Sequence, residues 1–334
     1  MLVNREAMAD PHNEAKLSAL FCSGNPVYIL IDPLLGEPVC LDQLGAPWSR
    51  ADLQAAREAA WSRDIHVINL DHSIELPLHL HPYLVQLRDA DEWLLDTLTL
   101  AQQERLTSQA QGLAGTGIAA HRIGGWLQSP LAGGELARRL SVHFTLDPQP
   151  HTQARYLRLA DRRVLAWLRH VIGDPRLQWT LGRVDCWAYL DTFGQIAVLA
   201  GNEKPIRAHA IWFVNDQWDR LLQGDKYHRA AARWLGELSA TDPLPAMEAN
   251  PFWSAITHAL GLAEHVRQQV PEHFIMDDDL IAWAVLVLLH PELEQSTDQQ
   301  PLSDVLASFP NGPLHPCCAA VHTRLLKGSN HEHP

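Results

Sequence analysis

Short apolar runs alternate with longer amphipathic segments from Val27 to Leu199. Several of these runs have the length and the β-branched or aromatic content that are typical of strands. They are Val27 to Ile31, Ile65 to Leu70, Tyr83 to Leu87 and Ser141 to Leu146, and the last alternates most regularly. Runs on either side of Asp191 to Gly194 predict a hairpin, because Gly194 can supply a positive φ in the turn. The alternation predicts an α/β lobe, with a mixed sheet and flanking helices.

The pattern changes near Gly201 to Pro205, where the alternation stops and helical periodicity begins. Apolar stripes at three- and four-residue spacing predict helices from Ile211 onward, including Phe252 to Gln269 and Asp278 to His290. The last of these is apolar on nearly every face, which predicts that it is the buried centre of an all-α lobe. We therefore divide the chain into an N-terminal helical extension (1–24), an α/β domain (25–201), a helical C-terminal lobe (202–328) and a loose tail (329–334).

Composition and charge narrow the possible partners and the compartment. The 26 Lys and Arg residues against 39 Asp and Glu give a formal charge of -13, which argues against nucleic acid as a partner because phosphates repel a negative field. The N-terminus lacks a signal-peptide pattern, and the apolar run Leu280 to Leu289 is too short to cross a bilayer. Five cysteines without CxxC spacing indicate reduced thiols. We expect a cytoplasmic protein without membrane insertion, in which Cys317 and Cys318 are packing residues.

Arginines are concentrated where an extended run gives way to a helical pattern, around Tyr156 to Leu168. Asp161 stands where the helix would begin, so its carboxylate is predicted to cap the first turn, within reach of Arg158. The other arginines nearby are Arg155, Arg162, Arg163, Arg169, Arg176 and Arg183. Two interpretations remain open: a structural Arg158 to Asp161 pair with solvated neighbours, or a basic binding surface. An exposed ion pair alone is worth only about 0 to 1 kcal/mol.

Two histidines provide the main alternative, a metal-dependent hydrolase. In a strand, His79 and His81 would point the same way, as two zinc ligands do. A catalytic zinc needs a third protein ligand, and the helical second half offers no later strand to carry it. We therefore prefer a histidine-rich loop that leads into the strand at Tyr83.

Other catalytic motifs are weak or incomplete. The segment Gly115 to Ala120 fits a GxGxxA pattern, but it follows a helix rather than a strand, which is the wrong context for dinucleotide binding. Ser129 lacks the strand-to-helix elbow that exposes a nucleophile, and His331 and His333 lie in the predicted loose tail. We therefore expect no catalytic residues, no metal and no cofactor.

Twelve tryptophans raise the question of a protein interface, because Trp and Arg are enriched among interface hot spots. Most tryptophans at helical spacing pack into a core. Trp212 lies beside an apolar stripe rather than within it, so we select it as a candidate contact for a partner.

Three motifs occur in order along the chain: PYLVQL (Pro82 to Leu87), GGWLQSP (Gly124 to Pro130) and YLRLADRRVL (Tyr156 to Leu165). This ordered set resembles the shared domain of the Tap-type adaptor chaperones of bacterial type VI secretion. The pattern of that family is roughly PYLVEL, then GWLLSP, then an arginine, an aromatic pair and Asp-Pro-Arg-Val. The resemblance covers about Val27 to Leu199.

Individual positions match the family pattern to different degrees. Arg158, Asp161, Arg163 and Val164 match the last motif, and Trp126, Ser129 and Pro130 match the middle one. Leu159 and Ala160 stand in place of the aromatic pair, and Arg162 stands in place of the proline. The charged residues of the last motif are therefore present, whereas its aromatic contacts are not.

The resemblance implies a cytoplasmic adaptor without catalytic activity. Such a protein binds a secreted effector through the effector's N-terminal region and helps to load it onto the VgrG spike. The candidate contacts are Arg158, Asp161, Arg163, Trp126 and Trp212. A structural component of the secretion apparatus is a further alternative.

Overall fold

The computed structural model describes residues 10–21, 24–41, 49–88, 91–146, 155–181, 183–201, 211, 213–241, 249–291, 293 and 314–329. The chain forms two compact units, one of Met1–Arg105 with Ala120–Leu221 and one of Leu106–Ala119 with Leu222–Pro334. The first contains a sheet with helices and the second is helical, so the predicted fold class is confirmed. The division differs from the predicted boundary at residue 202, because Ile211 to Leu221 belong to the sheet-containing unit.

A six-stranded sheet is the centre of the first unit. Its strands are β1 (Val27–Ile31), β2 (Ile65–Val67), β3 (Tyr83–Gln86), β4 (Ile123–Gln128), β7 (Cys186–Leu190) and β8 (Ile196–Ala200). Their order across the sheet is β2-β3-β1-β4-β7-β8. We predicted a mixed sheet, and every pairing within the described part of it is antiparallel. Gly194 has a φ of 82° in the turn between β7 and β8, as the predicted hairpin requires.

Helices cover both faces of this sheet. They are α1 (Pro11–Leu20), α2 (Arg50–Trp61), α3 (Trp93–Gln109), α4 (Gly133–Ser141), α5 (Arg162–Ile172), α6 (Asp174–Leu181) and α7 (Asn215–Leu222). Alternate residues of β1 enter different cores, since Tyr28 and Leu30 pack with Leu165 of α5, whereas Ile29 and Ile31 pack with Trp61 of α2. Because the sheet is buried on both faces, its central strands are continuously apolar instead of alternating.

The segment Ser141 to Leu146 was predicted as a strand, and that prediction was wrong for most of its length. Ser141 ends α4, residues Val142–Phe144 form a 3₁₀ turn, and only Thr145–Leu146 form a strand, β5. This strand pairs with β6 (Arg155–Tyr156). Phe144 and His143 are both buried, so the alternation of residue types here did not correspond to alternating burial.

Four helices dominate the second unit: α8 (Gly224–Thr241), α9 (Ala249–Gln269), α10 (Asp277–Leu289) and α11 (His315–Ser329). Helix α10 packs against the other three, and every residue from Asp279 to Val287 is buried. The prediction that this helix is the buried centre of a helical lobe is therefore confirmed. Cys318 is buried in α11, in keeping with a packing role. Within the described ranges, no helix combines the length and apolarity that a bilayer crossing requires.

Asn13 attaches α1 to the β7–β8 hairpin. Its Nδ2 donates to the carbonyl of Gly194 over 2.7 Å, and its Oδ1 accepts from the N–H of Ile196 over 3.1 Å. The side chain is fully buried. One amide group thus provides partners for a turn carbonyl and for the first amide of an edge strand, which would otherwise be buried without a partner.

The substitution Asn13→Ala should lower the free energy of unfolding by about 2 kcal/mol, because it leaves a buried donor and a buried acceptor unpaired. Urea denaturation followed by tryptophan fluorescence measures this change. His12→Ala, at an exposed neighbouring position, is the matched control and should leave the midpoint unchanged. Equal midpoints for both variants would show that the amide does not stabilise the hairpin.

Candidate functional site

The candidate site is the arginine-rich corner, which we define as residues 155–163. It runs from β6 into the first turn of α5. Asp161 is the N-cap residue of α5, and its carboxylate accepts a hydrogen bond from the backbone N–H of Arg163 at 3.0 Å. The same carboxylate forms ion pairs with the guanidinium of Arg163 at 2.7 Å and with that of Arg158 at 3.4 Å. Three residues that match the family motif therefore form one connected network.

The carboxylate of Asp161 is almost completely buried, at 2% exposure, whereas each of the two arginine side chains is 19% exposed. Burial alone would raise the pKa of Asp161, but the charge and hydrogen bonds of Arg163 outweigh it, and the pKa is held well below its usual range. Asp161 therefore stays ionised and orients the two arginines. A partner would meet the arginines rather than the aspartate.

Asp32 is a second buried carboxylate at this site, and sequence analysis did not identify it. It follows β1, caps the 3₁₀ turn Pro33–Leu35 and accepts a hydrogen bond from Nε of Arg158. Burial, the largest influence, raises the pKa of Asp32 to about 6 despite the opposing charge of Arg158. The two residues are 126 positions apart, so no local pattern could have indicated the pair.

Arg162 is not part of a basic surface, which corrects the expectation that it is solvated. Its side chain is 3% exposed and pairs with Glu104 of α3 at 3.0 Å. It also donates to the carbonyls of Ile123 and Ala101. Glu104 in turn binds the side chain of Arg122. A buried arginine thus connects α5 to α3 and to β4, at the position where the family pattern has a proline.

The three sequence motifs converge in space. PYLVQL contains β3, GGWLQSP contains all of β4 except its first residue, and β1 lies between these two strands. Gly124 of β4 lies against the corner so closely that an added Cβ would overlap the carbonyl oxygen of Ala160. Leu159 and Ala160, which replace the family's aromatic pair, are fully buried. The motifs therefore define one structural region that supports the corner.

The corner is close to electrically neutral, since Arg158 and Arg163 face Asp32 and Asp161. Arg169 is also paired, with Asp174. Arg155 and Arg183 are exposed and have no ion pair with another described residue. Most of the clustered arginines therefore stabilise the fold, and fewer than expected are available to form a basic surface.

Two buried hydrogen-bond donors at the corner have no acceptor among the described residues. They are Nη2 of Arg158 and the hydroxyl of Tyr156. Burial, followed by the nearby charge of Asp32, raises the pKa of Tyr156, so the hydroxyl keeps its proton. Donors of this kind suit a carbonyl or carboxylate oxygen. Because both atoms are buried, only an acceptor that enters the corner could pair with them.

Of the two tryptophans predicted to contact a partner, the structure describes only Trp126. Trp126 lies in β4 with no exposed surface, and its Nε1 donates to Thr97 at 3.0 Å. It is a core residue that supports the sheet, so the expectation of a partner contact there is corrected. Trp212 lies outside the described residues.

The histidine alternative lacks the geometry on which it depended. Leu78–Leu80 form a 3₁₀ turn rather than a strand, so the strand rule for the directions of His79 and His81 does not apply. Nε2 of His81 lies 3.1 Å from the carbonyl oxygen of Leu76. In the described part of the chain, no group of three or more His, Cys, Asp or Glu residues is placed to hold a metal ion.

Residues of the other rejected motifs contribute to packing and to hydrogen bonds within the fold. Ser129 is buried, and its hydroxyl donates to the carbonyl of Arg183 while accepting from the N–H of Leu131. Gly117, in the GxGxxA segment, lies against the backbone of Arg229 in α8. His331 and His333 lie outside the described residues.

A scan against protein-family models finds no match, and neither do searches of curated proteins and of solved structures.

The substitution Asp161→Asn should lower the free energy of unfolding by about 3 kcal/mol, because it leaves two partly buried arginines without their shared charge. Asparagine is also a good N-cap, so the loss reports the ion pairs rather than the cap. Urea denaturation at pH 7 gives the value. Glu135→Gln breaks an exposed pair with Arg139 and should cost only about 0 to 1 kcal/mol; equal losses for the two variants would contradict the network.

Asp32 should make the protein more stable as the pH falls from 7 to 5. Its folded pKa of about 6 lies above the value of 3.8 for an unperturbed aspartate, so the folded state takes up the proton first. Its stabilising contribution is complete below pH 3.8 and is lost as the pH rises through 6. Between pH 7 and pH 5 the gain is about 1 kcal/mol.

Asp32→Asn removes this titration while keeping the size of the side chain. The difference in free energy of unfolding between wild type and variant should therefore change by the same amount over that pH range. Urea denaturation of both proteins at pH 5, 6 and 7 measures it. A difference that is constant with pH would show that Asp32 has an ordinary pKa.

Proposed function

We propose that this chain is a non-catalytic adaptor that binds a type VI secretion effector and helps to load it onto the VgrG spike. The observation that carries the proposal is the connected network of Arg158, Asp161 and Arg163 at the start of α5. These are the charged residues of the motif that resembles the adaptor family. Because they form one connected network, we propose that they contact the effector together.

The construction of the corner supports a role in recognition. Buried carboxylates hold the guanidiniums of Arg158 and Arg163, so little side-chain entropy remains to be lost when a partner binds. Both side chains keep a fraction of their surface exposed. A guanidinium fixed in this way can donate to carbonyl or carboxylate oxygens of a polypeptide, with charge assistance.

The partner in this proposal is the effector's N-terminal region, which would lie across the corner before the effector is transferred to the spike. Because the corner is nearly neutral, its recognition would depend on the geometry of the donors rather than on long-range attraction. Such binding should depend less on salt than binding to an open basic patch would. In this proposal the effector is loaded onto the spike in the cytoplasm.

Arg163→Gln should weaken binding of the effector under test, a candidate taken from the neighbouring genes, by roughly tenfold or more, the loss expected for a charge-assisted hydrogen bond. The proteins are co-expressed, the complex is purified through a tag on the effector, and affinity is measured by isothermal titration. Arg163→Lys retains the charge beside Asp161 but not the planar fork, so it should give an intermediate affinity.

Arg139→Gln is the matched control, since Arg139 forms an exposed pair with Glu135 on α4. This variant should bind the effector as the wild type does. Urea midpoints of all variants separate loss of binding from loss of folding. If wild-type protein forms no complex with the effector, or if Arg163→Gln binds normally, the proposal is wrong.

A further inference from the structure

A second surface with a different character lies in the helical unit. Ile275 and Met276 are consecutive and expose 66% and 64% of their surface, and Ile118 exposes 55%. Burial of large apolar side chains is the main favourable term in folding, so exposed neighbours of this size call for an explanation. We name Ile118, Ile275 and Met276 the apolar surface.

The exposed pair belongs to an ordered segment. Phe274 is buried immediately before it, and the backbone N–H of Met276 donates to the buried carboxylate of Asp279 at 2.9 Å. The carbonyl of Met276 accepts from the N–H of Asp279 in return. The backbone of Ile275 and Met276 is therefore fixed on both sides, and their exposure is a property of the folded state.

One buried guanidinium connects the two segments that carry the apolar surface. Arg229 of α8 donates to the carbonyl of Thr116 and pairs with Asp278. Thr116 accepts from the N–H of Ile118, and Asp278 lies two positions after Met276. Ile118 and Met276 are each two residues from a group that binds the same guanidinium, and from this we infer that they belong to one surface.

Carboxylates dominate the exposed charge around the apolar surface. Asp225 and Asp277 have exposed side chains, 72% and 50% respectively, and Glu272 is exposed three residues before Ile275. Lys226, paired with Asp277, is less exposed at 28%. Arg229 is almost completely buried. An approaching molecule would therefore meet apolar side chains with an acidic rim.

We propose that the apolar surface binds a cationic amphipathic segment of a partner polypeptide. Apolar side chains of that segment would cover Ile275, Met276 and Ile118, while its lysines or arginines would meet Asp225, Asp277 and Glu272. Anionic phospholipid headgroups and nucleic acid carry the wrong charge for this rim. A second copy of the chain, related by twofold symmetry, would bring the same carboxylates against one another.

This inference specifies the charge and amphipathic character of a partner segment. It rests on the proposed function only in assuming that the ligand is a polypeptide. It concerns residues distant in sequence from the corner, so the two proposals can fail separately. The probe is a fluorescein-labelled peptide of 18 residues, with leucine at helical spacing and lysine elsewhere. A second peptide has glutamate in place of every lysine.

The full-length protein should bind the lysine peptide and not the glutamate peptide in fluorescence anisotropy. Replacing both Ile275→Ser and Met276→Ser should weaken binding of the lysine peptide roughly tenfold or more. Asp225→Asn with Asp277→Asn should weaken it and reduce its dependence on salt. The matched control is Leu35→Ser with Val142→Ser, which alters exposed apolar residues of the other unit and should leave the affinity unchanged.

Three results would overturn the inference. The first is equal affinity of the lysine peptide for wild type and the Ile275/Met276 double variant at unchanged urea midpoints. The second is equal binding of the two peptides. The third is a wild-type dimer that the double variant converts to a monomer in light scattering, since the surface would then be covered by a second copy. None of these results bears on whether Arg163→Gln loses the effector, which tests the adaptor proposal alone.

Discussion

The buried ion pair between Arg162 and Glu104 is the constraint on which the corner depends. A guanidinium without access to water must have its charge compensated and its donors bonded, or it destabilises the fold severely. Arg162 meets this requirement with one carboxylate and two backbone carbonyls, from α3 and from the start of β4. The first turn of α5 is thereby fixed to the sheet, and the neighbouring side chains of Arg158, Asp161 and Arg163 acquire defined positions.

The need to pair buried charges also explains why arginines are clustered around the corner. In an acidic chain, a local excess of arginine suggests a surface for an anionic partner. Here most of the positive charge is used internally, against Asp32, Asp161, Glu104 and Asp174. What remains partly exposed is a small number of well-oriented donors. Such a site favours a specific acceptor geometry over attraction to any negatively charged molecule.

Patterns within a single element predicted the fold well, whereas pairs distant in sequence were not predictable. The continuous apolarity of Leu280 to Leu289 and the hairpin around Gly194 both depend on local spacing, and both are confirmed. Asp161 as the cap of α5 depends on local spacing as well. Asp32 and Glu104 contact the corner only because the chain folds, and nothing in their own surroundings marks them.

The failures have related causes. Ser141 to Leu146 alternates over too few residues to outweigh the preceding helix, so helix and turn take most of it. Trp126 was assigned a surface role because it belongs to a motif, yet its strand is buried on both faces. Exposure of Ile275 and Met276 could not be read from sequence, because apolar residues before an apolar helix normally indicate more core.

The close packing of Gly124 against Ala160 bears on which side of the corner can accept substitutions. The inner side of the corner has no room for even one additional methyl group, so that side cannot be varied without displacing the whole loop. Variation is open on the outward side, at positions such as Arg155. A library that diversifies the corner should therefore randomise outward-facing positions and keep the glycine in β4 unchanged.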